Sequence, residues 1–392
     1  MKINKPAVIS GIVCALLGAL AANTVRDYSY IHNNGKIMNK VSAVAKVITD
    51  YSIYNPDADK MSDAAAWAMT ATIDDPYTRY FDKDSYRSYV DSTSSSYYGI
   101  GVTLRVDAEN NRQIIDDVTK DGPGAAAGVL AGDVLAGVDD IICTAENMQD
   151  TVSYIKGKKD GGSVTLHILR GAESLDIAVI PSAVQNVLVE SSMLSDGIGY
   201  MKIKNFERSD VENSRTAYDD FKDNISTLRD NGMTKLIIDL RDNPGGDLGV
   251  VSAIADEFLS EGVITYTEDK NGKKEYIYAQ SGGMDFPTAI ITNGQSASAS
   301  EVLTAALHDN GKAITVGEKT FGKGIVQRLY PFGDGSGMSV TIAKYYTPYD
   351  VCIQGIGIEP DIECVLPAGT TKADYDTSTD PQILKAVEAL QK

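Results

Sequence analysis

Two short runs of the chain, Leu236-Ile237-Ile238 and Ala289-Ile290-Ile291, are apolar at every position rather than at alternate ones. A strand wetted on one face alternates apolar and polar residues. A strand apolar on both faces must be covered on both, as in a parallel sheet flanked by helices. From Leu188 onward the pattern continues in that style, with strands expected at 197–203, 235–240, 288–292, 313–316, 325–330 and 338–346. Helices are expected at 209–231, 248–259, 298–308 and 380–390.

Upstream the rhythm changes. Between 97 and 183, short β-like stretches at 101–106, 112–118, 134–138, 163–169 and 175–180 alternate with Gly-rich turns. Short helices are expected at 123–128 and 145–155, which makes this a small β-rich module. Residues 26–92 read as polar and helical: Val41, Val44, Val47, Ile48 and Tyr51 recur near a 3.6-residue spacing, and Asp74-Asp75-Pro76-Tyr77 breaks it. The serine cluster from Ser92 to Ser96 marks a boundary. A chain of 392 residues should hold two or three domains. The expectation is an α+β multidomain protein divided at 1–25, 26–92, 93–183 and 184–392.

Lys2 and Lys5 precede an uncharged apolar stretch from Pro6 to Val25. Its roughly 20 residues suffice to cross a bilayer as a helix. The positive flank keeps the N-terminus in the cytoplasm and places the rest outside. Ala19-Leu20-Ala21 also fits a small-residue cleavage site, so the stretch is either a membrane anchor or a cleaved signal. Both readings export the protein, to the cell membrane or beyond it. The net charge of −18 repels phosphate backbones and argues against nucleic acid as a partner. Cys143, Cys352 and Cys364 would be exported and cannot all pair. The apolar surroundings of Cys352 and Cys364 favour buried thiols over a bridge between them. No His/Cys/carboxylate cluster has metal-ligand spacing, so no metal or cofactor is expected.

Three segments could carry chemistry. In Asn293-Gly294-Gln295-Ser296-Ala297-Ser298-Ala299-Ser300-Glu301 a buried strand runs through small residues into a helix. That puts Ser298 at the carboxyl edge of the sheet, where open α/β sheets bind ligands. The plain alternative is a helix cap, because Ser298-x-x-Glu301 satisfies the capping-box pattern. In Thr320-Phe321-Gly322-Lys323-Gly324-Ile325-Val326-Gln327 one lysine stands between two glycines at the head of an apolar strand. Lys323 and Gln327 share strand parity and project to one face. A desolvated lysine loses proton affinity from about 10.4 toward neutrality and can then take a serine proton, with Gln327 to orient it. The alternative is a solvated loop lysine. Third, Asp239 to Asp247 ends a strand in a Gly-Gly turn that opens a helix. Its outward N–H groups suit an oxyanion hole, with the Ala299 or Ser298 amide as the other donor. An ordinary strand-to-helix turn would look the same.

Histidine is not the base. His308, ten residues along the helix, would lie about 15 Å from Ser298 at 1.5 Å per residue. Gly317-x4-Gly322-Lys323 only mimics a phosphate-binding loop, because Gly324 stands where a Ser/Thr must bind magnesium.

Taken together these segments resemble the carboxyl-terminal processing peptidases, the tail-specific Ser-Lys proteases. Asp75 to Phe81 is similar to the segment before the family's PDZ domain. Tyr98-Gly99-Ile100-Gly101-Val102 resembles that domain's carboxylate-binding loop, and Ala127 to Leu135 its helix-turn-strand signature. Asp239–Gly246, Ser296–Glu301, Gly317–Gln327 and Tyr345-Tyr346-Thr347-Pro348 resemble successive motifs of the protease core. The resemblance implies a PDZ domain and a crotonase-like α/β core. Ser298 would be the nucleophile, Lys323 the base and Gln327 its orienting partner, with Gly245 or Gly246 joining Ala299 in the oxyanion hole. Gly99, Ile100, Gly101 and Val102 would bind a substrate's terminal carboxylate and add the peptide as a strand. Arg170 would couple that binding to the active site. Asp139-Asp140 departs from the family's turn before the next strand of the module, which bears on peptide preference.

The expected function is an exported serine endopeptidase acting on proteins or peptides with apolar C-terminal tails, without a cofactor. The family's assembly through N-terminal helices implies a homodimer. The alternatives are a catalytically inactive PDZ scaffold of the cell envelope and, more remotely, a coenzyme-A-binding enzyme on a related core.

Overall fold

The computed structural model describes residues 35–92, 96–158, 161–208, 215–280, 282–370 and 372–391. The stretch read as an anchor or signal, 6–25, lies outside them. Among the described residues no helix is long and apolar enough to cross a membrane.

The chain forms two compact units. Of the described residues, the first comprises 35–83 with 331–339. In it a helix covers 35–51 and leaves Val44, Val47 and Tyr51 exposed. A second helix, Ala58–Thr70, is capped by the Asp57 carboxylate, which accepts from the Asp59 and Lys60 amides. The strand Arg79–Phe81 then pairs antiparallel with residues 337–339, Arg79 facing Ser339. Asp75 explains the break in helical pattern: its side chain accepts the Tyr77 N–H at 3.1 Å and the Thr78 hydroxyl at 2.6 Å, so it folds the turn onto itself.

The second unit comprises 84–330 with 340–392. Its β-rich module is a sheet ordered Val102–Asp107, Arg112–Val118, Val134–Val138, Val164–Arg170, Glu173–Val179, with Ile141–Ile142 on the middle strand. Ile115, Leu135, Val138, Val164, Leu166 and Ile168 fill its core. The helices are Pro123–Ala127, ended by Gly128 in the left-handed region, and Met148–Gly157. Asp139 takes the left-handed turn that an Asn or Gly would favour, at φ 48°. Its carboxylate accepts the Thr165 N–H and the Tyr154 hydroxyl, both at 2.8 Å, which offsets the strain.

The other six-stranded sheet is ordered Val189–Met193, Ile198–Ile203, Lys235–Asp239, Thr288–Thr292, Ala313–Gly317, Ile362–Glu363. Only its first pair is antiparallel. The two fully apolar runs do what their pattern demands. Leu236, Ile238 and Ile290 join a core with helices Ala217–Asp230, Leu248–Phe258 and Ala299–Asp309. Ile237, Ala289 and Ile291 face the opposite way, onto Ile383, Ala386 and Leu390 of the C-terminal helix Pro381–Gln391.

Three features differ from expectation. The helix expected from 209 begins at Ala217, where Thr216 and Asp219 form a capping box, and 209–214 lie outside the described residues. The hairpin Val263–Asp269 and Lys274–Tyr278 was not expected at all. Its signals are Tyr/Thr-rich strands around a Gly272 turn, and Tyr266 stacks on Tyr276 and Tyr346, each with centroids at 4.7 Å. Cys143, Cys352 and Cys364 are free thiols. Cys143 is buried, whereas Cys352 and Cys364 are half-buried rather than buried as expected.

Candidate active site

Ser298 sits where the strand Thr288–Thr292 turns into the helix Ala299–Asp309. Its backbone is at φ 57°, ψ −114°, and its side chain is 7% exposed. For a residue with a Cβ, positive φ costs about 1–3 kcal/mol and persists only if its neighbours hold it. They do. Ala297 N–H donates to Asn243 O at 3.0 Å, and the Ser296 hydroxyl donates to Leu240 O at 2.8 Å. Ser298 N–H donates to Glu301 Oε2 at 2.9 Å, the carboxylate half of the capping box read from the sequence.

Glu301 does more than cap. It is fully buried, and its two oxygens accept four bonds. Oε1 takes the Thr320 hydroxyl at 2.6 Å and the Gly322 N–H at 2.7 Å, and Oε2 takes the Lys323 N–H at 2.8 Å beside that of Ser298. One dry carboxylate thus ties the serine turn to the lysine loop. Sequence reasoning missed this second role, since only the i,i+3 spacing to Ser298 was visible.

The glycine turn closes a third side. Asn243 is fully buried and anchors it through a 2.9 Å bond from its Nδ2 to Ile203 O. Gly245 has φ 107°, and a Cβ there would come within 2.8 Å of both Ala297 O and Ser298 Cβ. Only glycine allows that approach. The Gly245 N–H is given to Asn243 Oδ1 at 2.9 Å.

Ser298, Lys323, Gln327 and Gly245 all line one cavity of about 560 Å³, with Gly246, Val326 and Tyr345. Lys323 is half-buried there, and Gln327 Nε2 reaches Thr341 Oγ1 at 3.4 Å. Tyr345 is buried at the same cavity, and burial pushes its phenol up to about 12. Glu207 lines the same cavity. Its Oε1 accepts from Asn205 at 2.7 Å, while its Oε2 is sealed from water without a hydrogen-bond partner among the described residues. Burial pushes its carboxyl up to about 7, an effect the Asn186 amide only partly offsets.

Behind the cavity lies a buried ionic network. Asp239, 1% exposed, accepts from Tyr200 at 2.6 Å and from Lys202 and Arg241. Arg241 also donates to Asp380 at 2.7 Å and Gln382 at 2.9 Å. Burial pulls Lys202 down to about 8, against the attraction of Asp239. The two described histidines lie elsewhere, His308 as its helix geometry required: it bonds Asp309 and Asp361, and His167 bonds Asp176, while His32 lies outside the described residues.

The loop Gly99–Val102 does not reach this cavity. Its Ile100 O accepts the Gly124 N–H and its Gly101 O the Thr119 N–H. Val102 lines a separate groove of about 720 Å³ with Thr103, Val152 and Lys156. Asn205 borders both cavities. Arg170 is held by Asp133, at 2.7 and 2.8 Å, and by Gly128 O at 2.8 Å. It ties the module's own strand to its helix-turn.

Fold and site define a PDZ-bearing α/β protein with serine and lysine in one cleft. Residues 197–364 match the peptidase family S41 model and residues 99–180 the PDZ domain model. The chain is 33% identical to the carboxyl-terminal-processing protease of Picosynechococcus over 83% of its own length and 78% of the relative's. It is 31% identical to carboxy-terminal processing protease CtpA of Bacillus subtilis, over 89% and 75%. It spans 58% of the length of carboxyl-terminal-processing peptidase 2, chloroplastic, of Arabidopsis thaliana. In fold it is similar to a solved Bacteroides fragilis protein assigned to the S41 proteases, with TM-score 0.54 at 15% identity, covering 88% of this chain and 96% of that one. The chain belongs to peptidase family S41, among the carboxyl-terminal processing proteases, which are serine-type peptidases.

Proposed function

We propose that the protein is an exported endopeptidase that cleaves proteins bearing apolar C-terminal tails, with Ser298 as nucleophile and Lys323 as general base. The observation that carries this reading is that the two residues line one cavity and their amides meet on a single carboxylate. Neutral Lys323, oriented by Gln327, takes the hydroxyl proton as Ser298 Oγ attacks the scissile carbonyl carbon. The adduct's oxygen turns toward the Ala299 N–H and the Gly245–Gly246 turn. For Gly245 to donate, its N–H must leave Asn243 Oδ1. Lys323 then gives its proton to the departing amine as the C–N bond breaks. Water, deprotonated by Lys323, hydrolyses the ester and restores Ser298.

Tail capture belongs to the groove beside Val102. Val102–Asp107 is an edge strand of the module's sheet, which suits strand addition by an extended peptide, and Val102, Val152 and Tyr97 offer apolar contact. The stretch 6–25 is read as the exporting segment that ties the chain to a membrane. The exposed Val44, Val47 and Tyr51 are read as the surface that joins two copies.

Full-length protein in detergent, given an unfolded substrate with an apolar C-terminus, tests the chemistry. Ser298→Ala and Lys323→Ala should each lower kcat/KM by about 10⁴-fold or more while the fold persists. Wild-type turnover by Lys323→Ala would show the dyad to be wrong.

A further inference from the structure

Glycines stand on both sides of Lys323, so little in the local backbone fixes where its side chain goes. The direction of its Cα–Cβ bond is set by the two flanking peptide planes, each rigid in itself and free to turn about Cα. The plane before Lys323 is held by Glu301, which accepts the Lys323 N–H at 2.8 Å. The plane after it is held by a different side chain. There the Gly324 N–H donates to Gln354 Oε1 at 2.8 Å.

Gln354 lies on the segment that follows the strand Gly337–Tyr346. A turn in which Thr347 N–H donates to Val351 O at 3.0 Å folds this segment back, and Ile353, 2% exposed, anchors it. It then runs beside the lysine loop. Gly355 N–H donates to Gly322 O at 2.8 Å. Ile358 N–H donates to Thr320 Oγ1 at 2.7 Å, and Thr320 N–H to Ile358 O at 3.0 Å. The two stretches approach so closely that a Cβ at Gly324 would lie 2.4 Å from Gln354 N. Glycine at 324 therefore admits the residue that takes its N–H.

We propose that Gln354 is a positioning residue for the reaction, aiming Lys323 at Ser298 by holding the Lys323–Gly324 peptide plane. The inference rests on the Ser298–Lys323 reading above. Glu301 and Gln354 act as a pair, one acceptor for each plane that flanks the lysine. Without Gln354 the second plane turns on its glycine hinge. A lysine carries its amine at the end of a long stem, so a small rotation at Cα becomes a large displacement at Nζ. A misplacement of about 1 Å can slow a reaction about a hundredfold. None of the described residues 353–358 lines the groove beside Val102, so tail capture is spared.

The test compares full-length wild type, Gln354→Met, Gln354→Glu and Lys323→Ala in detergent. Met matches the length of Gln but offers no oxygen, whereas Glu keeps the acceptor. Gln354→Met should lower kcat on a tailed peptide, and acylation by a small p-nitrophenyl ester, about ten- to a hundredfold with KM unchanged. Exchange of the Gly324 amide, read in a Ser298→Ala background, should rise about tenfold or more. Gln354→Glu should restore both the protection and most of kcat. Wild-type kcat in Gln354→Met, beside an inert Lys323→Ala, overturns the role of Gln354 alone. So does Gln354→Glu if it protects the amide yet stays as slow as Gln354→Met. Wild-type acylation by Lys323→Ala overturns the dyad, and this proposal falls with it. Should Gln354→Met fail to fold, Gln354→Asn, one methylene too short to reach the amide, is read against the same outcomes.

Discussion

Ser298 and Lys323 present their backbone N–H groups to the same oxygen, Glu301 Oε2, at 2.9 and 2.8 Å. Their separation is therefore set through main chain and one rigid acceptor, not through two flexible side chains. In the proposed dyad the base must lie within hydrogen-bond reach of the proton it takes, so there the groups that fix the backbone would also govern the rate.

Glu301→Ala strands three amides and the Thr320 hydroxyl in a dry site. It should cost about 3–5 kcal/mol of stability in denaturant unfolding. Glu301→Gln keeps the shape but turns an N–H₂ toward groups that are themselves donors. Peptide cleavage should drop about a hundredfold with the fold retained, and unaltered kcat would remove Glu301 from the positioning role.

Gly245→Ala puts a methyl 2.8 Å from Ser298 Cβ at a backbone angle of φ 107°. Strain and overlap together should destabilise the protein by about 2–3 kcal/mol and reduce turnover to a few per cent at most. Thermal unfolding and steady-state kinetics report the two effects separately.

Glu207 gives a pH signature. Its carboxyl stands at about 7 in the folded protein against an ordinary 4.5. The folded state thus holds the proton more tightly, and this contribution to stability is full below pH 4.5 and lost as pH rises through 7. Glu207→Gln should match wild type at pH 4. By pH 8 it should be the more stable by about 1–2 kcal/mol, allowing for solvent around this half-buried group. A stability difference that did not change with pH would contradict the assignment.

Arg241→Ala leaves Asp239 and Asp380, both nearly inaccessible, without their shared cation. A loss of about 3–5 kcal/mol is expected in chemical denaturation, with weaker docking of the C-terminal helix. Hydrogen exchange in residues 381–391 should rise, and unchanged protection would dissociate the helix from the ion pair.

Local pattern carried much of this arrangement. Runs apolar on both faces can only be strands covered twice, so the parallel sheet was legible from Leu236–Ile238 and Ala289–Ile291. The strand-to-helix turn at Ser298 and the parity of Lys323 with Gln327 were legible for the same reason. Partnerships across distant segments were not. The bonds from Lys323 N–H and the Thr320 hydroxyl to Glu301 depend on register between elements, which periodicity does not encode. Likewise the Gly-Gly turn was evident, but not that Asn243 takes the Gly245 N–H. The hairpin at 263–278 escaped because its strands are stabilised by tyrosine stacking rather than by an alternating apolar face.

The pairing of Arg241 with Asp380 ties the glycine-turn segment to a residue 139 positions further along the chain. Closing so long a loop carries a large cost in chain entropy. The arginine behind the turn is therefore held in place only once the intervening sheet and helices have assembled around it, which makes the setting of this turn a late event of folding.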